Sequence, residues 1–370
     1  HGMRPWVCKF SGVLYDRRGL AVVEDIFVRH RAMAPYLVEA ESLARVALVT
    51  SPRAGDHLLG WCQALIEARL PFEILDAARL DPALAERFRV LVLPNAAELS
   101  DAACDAVRGF VARGGRIVAT YETSRYDETG AARADFGLAD LFGVSAGATH
   151  AGPERNAYLH VEPASDGGVH PVAMGLEHAG RIIAGVRRVE VAPRAARPPY
   201  PLTLIPSYPD LPMEKVYPRE EPREPGAIAR DVGPGRVVYF PGDLDRTFYE
   251  VLAADLGVVL ANAVRWAADE PAPVEVTGPG FVDLSVARLP RALTVHLVNL
   301  TNPMAMRGPA RELFPLSGLR VALALPPRAA VRGARWLVAD VPAAFEIAAG
   351  RLIAAAPPVL DHEVLAVDLA

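Results

Sequence analysis

Cysteine is scarce: the chain has only Cys8, Cys62 and Cys104 among its 370 residues. Three widely spaced thiols exclude a disulfide framework, and no CxxC pair offers a metal knuckle. No apolar run reaches the length of a membrane span. Positive charge is not in excess: 39 Lys and Arg stand against 44 Asp and Glu, a net charge of -5. The basic residues are scattered, so the basic face of a nucleic-acid binder is missing. The chain opens on His1 rather than Met and shows no charged leader followed by an apolar run. The expectation is a processed chain or a piece of a longer one, with the cytoplasm favoured. Ser51-Pro52-Arg53-Ala54-Gly55-Asp56 lacks the glycine spacing and lysine of a phosphate loop. His150, His160, His170 and His178 form no HxH or HxxxH pair. No cofactor and no metal are therefore expected. Asn299-Leu300-Thr301 matches the glycosylation pattern, but nothing else points to secretion.

What is present is ordinary soluble composition, 51% hydrophobic and 22% charged, in a chain long enough for two or three domains. Residues 4–12 read as a short strand. Residues 20–40 read as a helix with Val22, Val23, Ile26, Phe27 and His30 on one stripe. A regular alternation follows. Val46 to Thr50 is a near-continuous apolar run, as in a strand covered on both faces. A helix is expected at about 56–69, ended by Pro71. Strands are expected at Phe72 to Leu75, Arg89 to Leu93 and Arg116 to Thr120. Ser100 caps a helix over 101–113, closed by Gly114-Gly115. Cys104 shares that helix's apolar face with Val107, Phe110 and Val111, which makes it a core thiol. Strands alternating with helices predict a parallel sheet with helices on both faces.

From 122 to 180 the pattern loosens into short helical pieces and Gly-rich loops, and residues 193–226 are Pro-rich. A loop that long is functional or disordered. Gly235 to Phe240 returns as a strand and is followed by a helix around 255–267. After Glu270-Pro271-Ala272-Pro273, eight short strand candidates separated by turn residues predict an all-β sandwich.

The strand from Arg116 to Thr120 runs straight into Tyr121-Glu122-Thr123-Ser124-Arg125. The C-terminal end of a parallel strand is where a catalytic residue is displayed. Hydrolases built on such sheets place a nucleophile there on a tight Gly-flanked turn. This turn has neither a Cys nor a flanking Gly.

Leu91 to Asn95 with Leu99-Ser100, Gly114 to Thr120, Phe136 to Val144, His170-Pro171 and Gly235 to Gly242 appear in the order and spacing of a known family. Val46 to about Ala267 resembles the β-galactosidase trimerisation domain. That domain is a flavodoxin-like relative of class I glutamine amidotransferases. It follows the catalytic barrel in family 42 glycoside hydrolases and their uncharacterised relatives. Gly2 to Ala40 resembles the last β/α unit of a (β/α)8 barrel, and residues 274–370 the C-terminal β domain of the same enzymes. The resemblance implies three parts: a barrel remnant at 1–43, a flavodoxin-like domain at 44–270 and a β-sandwich at 271–370. A barrel needs about 250 residues, so the family's catalytic carboxylates have no counterpart here and no catalytic pair is carried over. Trp6, Lys9 and Asp16 belong to this barrel-tail reading: Lys9 and Ser11 would line the barrel end in a complete enzyme, and Trp6 is expected to lack part of its packing.

Three groups remain as candidate ligand or interface residues. Tyr121, Glu122, Arg125 and Tyr126 either line a crevice at the strand ends or form a solvated loop. Asp243, Asp245 and Arg246 follow the strand ending at Phe240. They either face Glu122 as a carboxylate system or serve structure, with Asp243 capping the next helix. Tyr208, Asp210 and Glu214 lie in a loop that reaches over a sugar site or an oligomer contact. The expected function is the non-catalytic C-terminal region of a glycoside hydrolase that forms a homo-oligomer, a trimer by resemblance, and shapes a carbohydrate site. Nucleic acid and membrane are not expected partners. A freestanding module binding a sugar or small polar ligand is the alternative, and an amidase-type enzyme ranks below both.

Overall fold

The computed structural model describes residues 5–8, 17–194, 200–205, 224–301 and 312–370. Tyr208, Asp210 and Glu214, like Lys9, Ser11 and Asp16, lie outside the described residues. The chain divides into two compact units. One holds residues 45–68 and 72–271, and the other residues 1–44, 69–71 and 272–370.

The first elements among the described residues are α1 (Leu20–Met33) and β1 (Glu41–Ser42). Residues 5–8 form no strand, since a strand exists only where a partner can take up its backbone hydrogen bonds. The apolar stripe of α1 is real, but Val22, Ile26 and Phe27 on it are exposed. Trp6 is exposed as well.

In the first unit, β2 (Val46–Thr50), α2 (Gly55–Glu67), β3 (Phe72–Asp76), β4 (Val90–Leu93), α3 (Asp101–Ala112) and β5 (Arg116–Thr120) succeed one another. They match the expected alternation because each strand is an apolar run and each helix has its own stop. Ser100 accepts a hydrogen bond from the Ala103 amide at 3.1 Å, and Gly114 takes the left-handed backbone that ends α3. Then come α4 (Ala139–Phe142), β6 (Val144–Ala151), β7 (Tyr158–Val161), β8 (Arg181–Ile183), β9 (Arg188–Pro193), β10 (Leu202–Ile205), β11 (Glu224–Val232) and β12 (Gly235–Phe240). The helices α5 (Leu244–Val251) and α6 (Ala254–Ala268) close the unit.

Nine strands form one sheet in the order β3-β2-β4-β5-β12-β11-β10-β7-β8. The first five are parallel. Numbered among themselves in chain order, those five run 2-1-3-4-5. The expected parallel sheet is thus extended by four antiparallel strands, and β6 pairs separately with β9. Those strands fall where the sequence suggested loops. Three of them, β7, β8 and β10, are three or four residues long, too short for a period to show. The core packs Leu91, Leu93, Ile117, Ala119 and Tyr239 against Val107, Phe110 and Phe142. Cys104 belongs to that core, and burial pushes its thiol up to about 11.

The second unit continues with β13 (Val274–Thr277), β14 (Val282–Leu289), β15 (Ala292–Asn299), β16 (Arg320–Ala324), β17 (Val331–Trp336) and β18 (Val341–Pro342). It ends with β19 (Phe345–Ala348), β20 (Arg351–Ala355) and β21 (His362–Leu369). A six-stranded sheet, β1-β14-β15-β21-β17-β18, and a four-stranded sheet, β13-β16-β20-β19, share one core around Val295, Leu323, Trp336, Leu352 and Leu365. The alternating strands expected after residue 270 are all present. Segment 41–42 joins this unit through β1 and β14. The Asn299 side chain is buried, and its amide donates to the Phe314, Val359 and Leu360 carbonyls. Its glycosylation motif is therefore closed in the folded chain.

The tightest crossing is between α2 and α5. A Cβ at Gly60 would drive into the Asp245 carbonyl, a backbone group that cannot swing aside. Gly60→Ala is expected to cost about 3 kcal/mol or more in urea unfolding. Gly333→Ala, where a Cβ meets no atom, should stay within about 0.5 kcal/mol.

Candidate functional site

Chemistry-bearing side chains gather at the C-terminal ends of β2, β4, β5 and β12. The turn after β5 is strained. Tyr121 and Ser124 have φ of 53° and 63°, and Asn95, at the end of β4, has 44°. Left-handed backbone at a non-glycine residue persists only when its surroundings enforce it. Here Asn95 does so from both sides. Its amide donates to Thr120 Oγ1 at 3.0 Å, and its Oδ1 accepts from the Glu122 amide at 3.2 Å. Thr123 Oγ1 donates to the Thr120 and Leu93 carbonyls. The expected elbow is present, with a tyrosine at its apex. Burial first, and Glu122 second, push the Tyr121 hydroxyl up to about 12, so it stays protonated at neutral pH.

The Tyr121 ring lies between two histidines. His57, in the first turn of α2, stacks on it at 5.7 Å and 11°. His150, on β6, meets it edge-on at 6.3 Å. Each histidine holds its own carboxylate. His57 Nδ1 is 2.8 Å from Asp245 Oδ1, and His150 Nε2 is 3.0 Å from Glu122 Oε1. Asp245 is wholly buried and also accepts from Thr120 Oγ1 at 2.6 Å and from the Arg246 amide. Tyr126 donates its hydroxyl to Glu122 Oε1 at 3.0 Å. The Arg53 guanidinium covers the Tyr126 ring at 4.1 Å and bonds Glu98 Oε1 at 2.7 Å.

Tyr121, Glu122 and Tyr126 thus share one cluster, and Asp245 reaches it from α5. Glu122 and Asp245 do not pair with each other: each takes a histidine, on either side of the tyrosine ring. Asp243 occupies the cap position of α5, but its carboxylate accepts from the Arg187 amide and Arg246 Nε, both at 2.8 Å, and from Thr247 Oγ1, and from no backbone amide of the helix. Burial raises the Asp243 carboxyl. Arg246 braces Asp243 and Glu250. Arg125 keeps Nε and Nη1 buried without a hydrogen-bond partner among the described residues. Sequence reasoning missed His57, Arg53, Asn95 and Glu98. The one available signal was position, since all four fall within seven residues of the C-terminal end of β2 or β4.

The fold is glycoside-hydrolase-like, an α/β sheet unit with a β-sheet unit. The chain is similar to α-L-fucosidase isoenzyme 2 from Paenibacillus thiaminolyticus, at 18% identity and a TM-score of 0.73, over 96% of this chain and 53% of that one. It is similar to the β-galactosidase from Bacillus circulans sp. alkalophilus, at 13% identity and a TM-score of 0.62, over 96% of this chain and 46% of that one. The β-galactosidase from Rahnella sp. R3 follows, at 16% identity and a TM-score of 0.60, over 95% and 44%. The chain spans about half the length of these structures. No family model and no curated protein matches it.

Burial opposes a charge on His57, but the carboxylates of Asp245 and Asp243 outweigh it and raise its pKa. The protonated form is therefore favoured in the folded state. The stabilisation is fully present below the unfolded histidine value of about 6.5 and is lost as pH rises through the higher folded value. Thermal melts should show wild type losing its advantage over His57→Gln as pH rises above the unfolded histidine value of about 6.5. A pH-independent difference would contradict this account.

Proposed function

We propose that the chain is the non-catalytic accessory part of a β-galactosidase-like glycoside hydrolase, with a flavodoxin-like sheet unit that serves oligomerisation. The carrying observation is the reach of the structural likeness. It runs through 96% of this chain, both units included, yet covers only 53% and 46% of the fucosidase and a β-galactosidase. The 2-1-3-4-5 order of the parallel strands supports the flavodoxin-like reading. The exposed stripe of α1 is the kind of face a barrel helix lays against neighbouring elements.

The site supports the absence of glycosidic chemistry. Hydrolysis needs two carboxylates facing a sugar about 5–10 Å apart. Asp245 is fully buried, Glu122 is held by His150 and Tyr126, and Glu98 is paired with Arg53. The amidase reading lacks its nucleophile, since a tyrosine with a raised pKa occupies the elbow. A second reading, a module that binds a sugar or small polar ligand at the strand ends, is favoured by the convergence of Arg53, Glu98, Glu122 and Tyr126 there.

Light scattering after size exclusion should give a homo-oligomer, a trimer by resemblance. A strict monomer sinks the assembly role. Nitrophenyl β-galactoside and α-L-fucoside should not turn over. Turnover abolished by Glu122→Gln would overturn the non-catalytic assignment.

A further inference from the structure

The outer face of α6 carries Asp255, Val258, Asn262 and Arg265, at steps of three, four and three residues that keep them on one stripe. Asp255, Val258 and Arg265 are exposed and Asn262 is half-buried. Asp255 has no ion pair among the described residues. Arg265 meets Asn262 Oδ1 and the Ala68 carbonyl but no carboxylate among the described residues. Burial alone pulls its pKa down, with no carboxylate close enough to raise it. One helix face thus holds an acid at one end and a base at the other, each without its counter-charge.

Apolar surface surrounds the stripe. Met174 is 58% exposed beside it: the Asn262 amide donates to the Met174 carbonyl at 2.8 Å, and Gly175 lies against Val258. Val251 and Leu252, in the turn before α6, are 55% and 57% exposed. Leu252 takes the left-handed backbone that ends α5, with φ of 51° and its amide on the Phe248 carbonyl. Glycine is usual there, because a Cβ crowds the chain. A leucine at that position is strained and leaves its side chain in water, and neither favours the fold of a lone chain.

We infer that this face of α6 is a contact with a second copy of this chain, two α6 helices packing antiparallel about a two-fold axis. The stripe reads acid, apolar, amide, base, so its reversed copy is its complement. Asp255 of one copy lies opposite Arg265 of the other, and Val258 opposite Asn262, with Met174 and Leu252 on the flanks. A uniformly acidic or basic partner would satisfy one end of the stripe and repel the other. The inference rests on the assembly reading above and names its contact surface. A two-fold contact builds a dimer, and it doubles a ring of three to six.

The test is light scattering after size exclusion on the full chain at several concentrations. Val258→Lys should halve the wild-type mass. Asp255→Arg and Arg265→Asp should each weaken the contact by about tenfold or more, by setting like charges opposite, and the double variant should restore it. Leu252→Gly should weaken it as well, while melting no lower than wild type in dilute samples. Ile347→Ser, on exposed β19, should change nothing. Thermal melts check each variant's fold, and Val258→Lys carries the test if Arg265→Asp unfolds. An oligomer whose mass Val258→Lys leaves unchanged, or a folded double variant that fails to recover, overturns this contact but leaves the assembly role. A strictly monomeric wild type overturns both.

Discussion

The Asp245 carboxylate is the interaction on which the parallel-sheet unit depends. It is wholly buried, and an isolated charge there would cost several kcal/mol. Three structural elements converge to offset that cost: His57 from α2, Thr120 from the end of β5, and the Arg246 amide of α5. Because α2 crosses α5 where Gly60 meets the Asp245 backbone, the same residue fixes the spacing of the two helices and the pose of His57. His57 in turn sets the plane of Tyr121 by stacking. The strained turn after β5 is thus over-determined, by Asn95 from below and by His57 and His150 from its flanks.

This gives a physical account of an elbow without a nucleophile. A left-handed residue at a strand end is costly, and enzymes tolerate it because it presents a reactive atom. In this chain the tension holds an aromatic ring between two imidazoles, each with its own carboxylate. The turn then works as a joint that ties β6 to β5 through His150 and Glu122.

Much of the fold was legible in the sequence. Val46 to Thr50, Val90 to Leu93 and Arg116 to Thr120 are apolar runs bounded by a proline, a serine cap and a glycine pair, and local signals of that kind survive without tertiary knowledge. Of the strands from β6 to β11, β7, β8 and β10 were not legible, because each is short and stabilised by its neighbour rather than by its own pattern. The site was half legible. Tyr121, Glu122, Tyr126 and Asp245 lie beside strand ends that the sequence marks. His57 and Glu98 do not announce themselves, since nothing local tells a histidine in the first turn of a helix that a carboxylate 188 residues away will meet it.

The pairing of β5 with β12 has a consequence for how the chain is made. Ala119 lies opposite Tyr239 in parallel register, and β6 to β11 are synthesised between them. On a ribosome the early strands can assemble well before β12 emerges. Until then β5 is an open apolar edge with its hydrogen bonds unclaimed, the kind of edge that recruits other chains. Non-local parallel pairing is also slow to form. The unit should therefore be most prone to aggregate while nascent, and β12 would act as the strand that seals it.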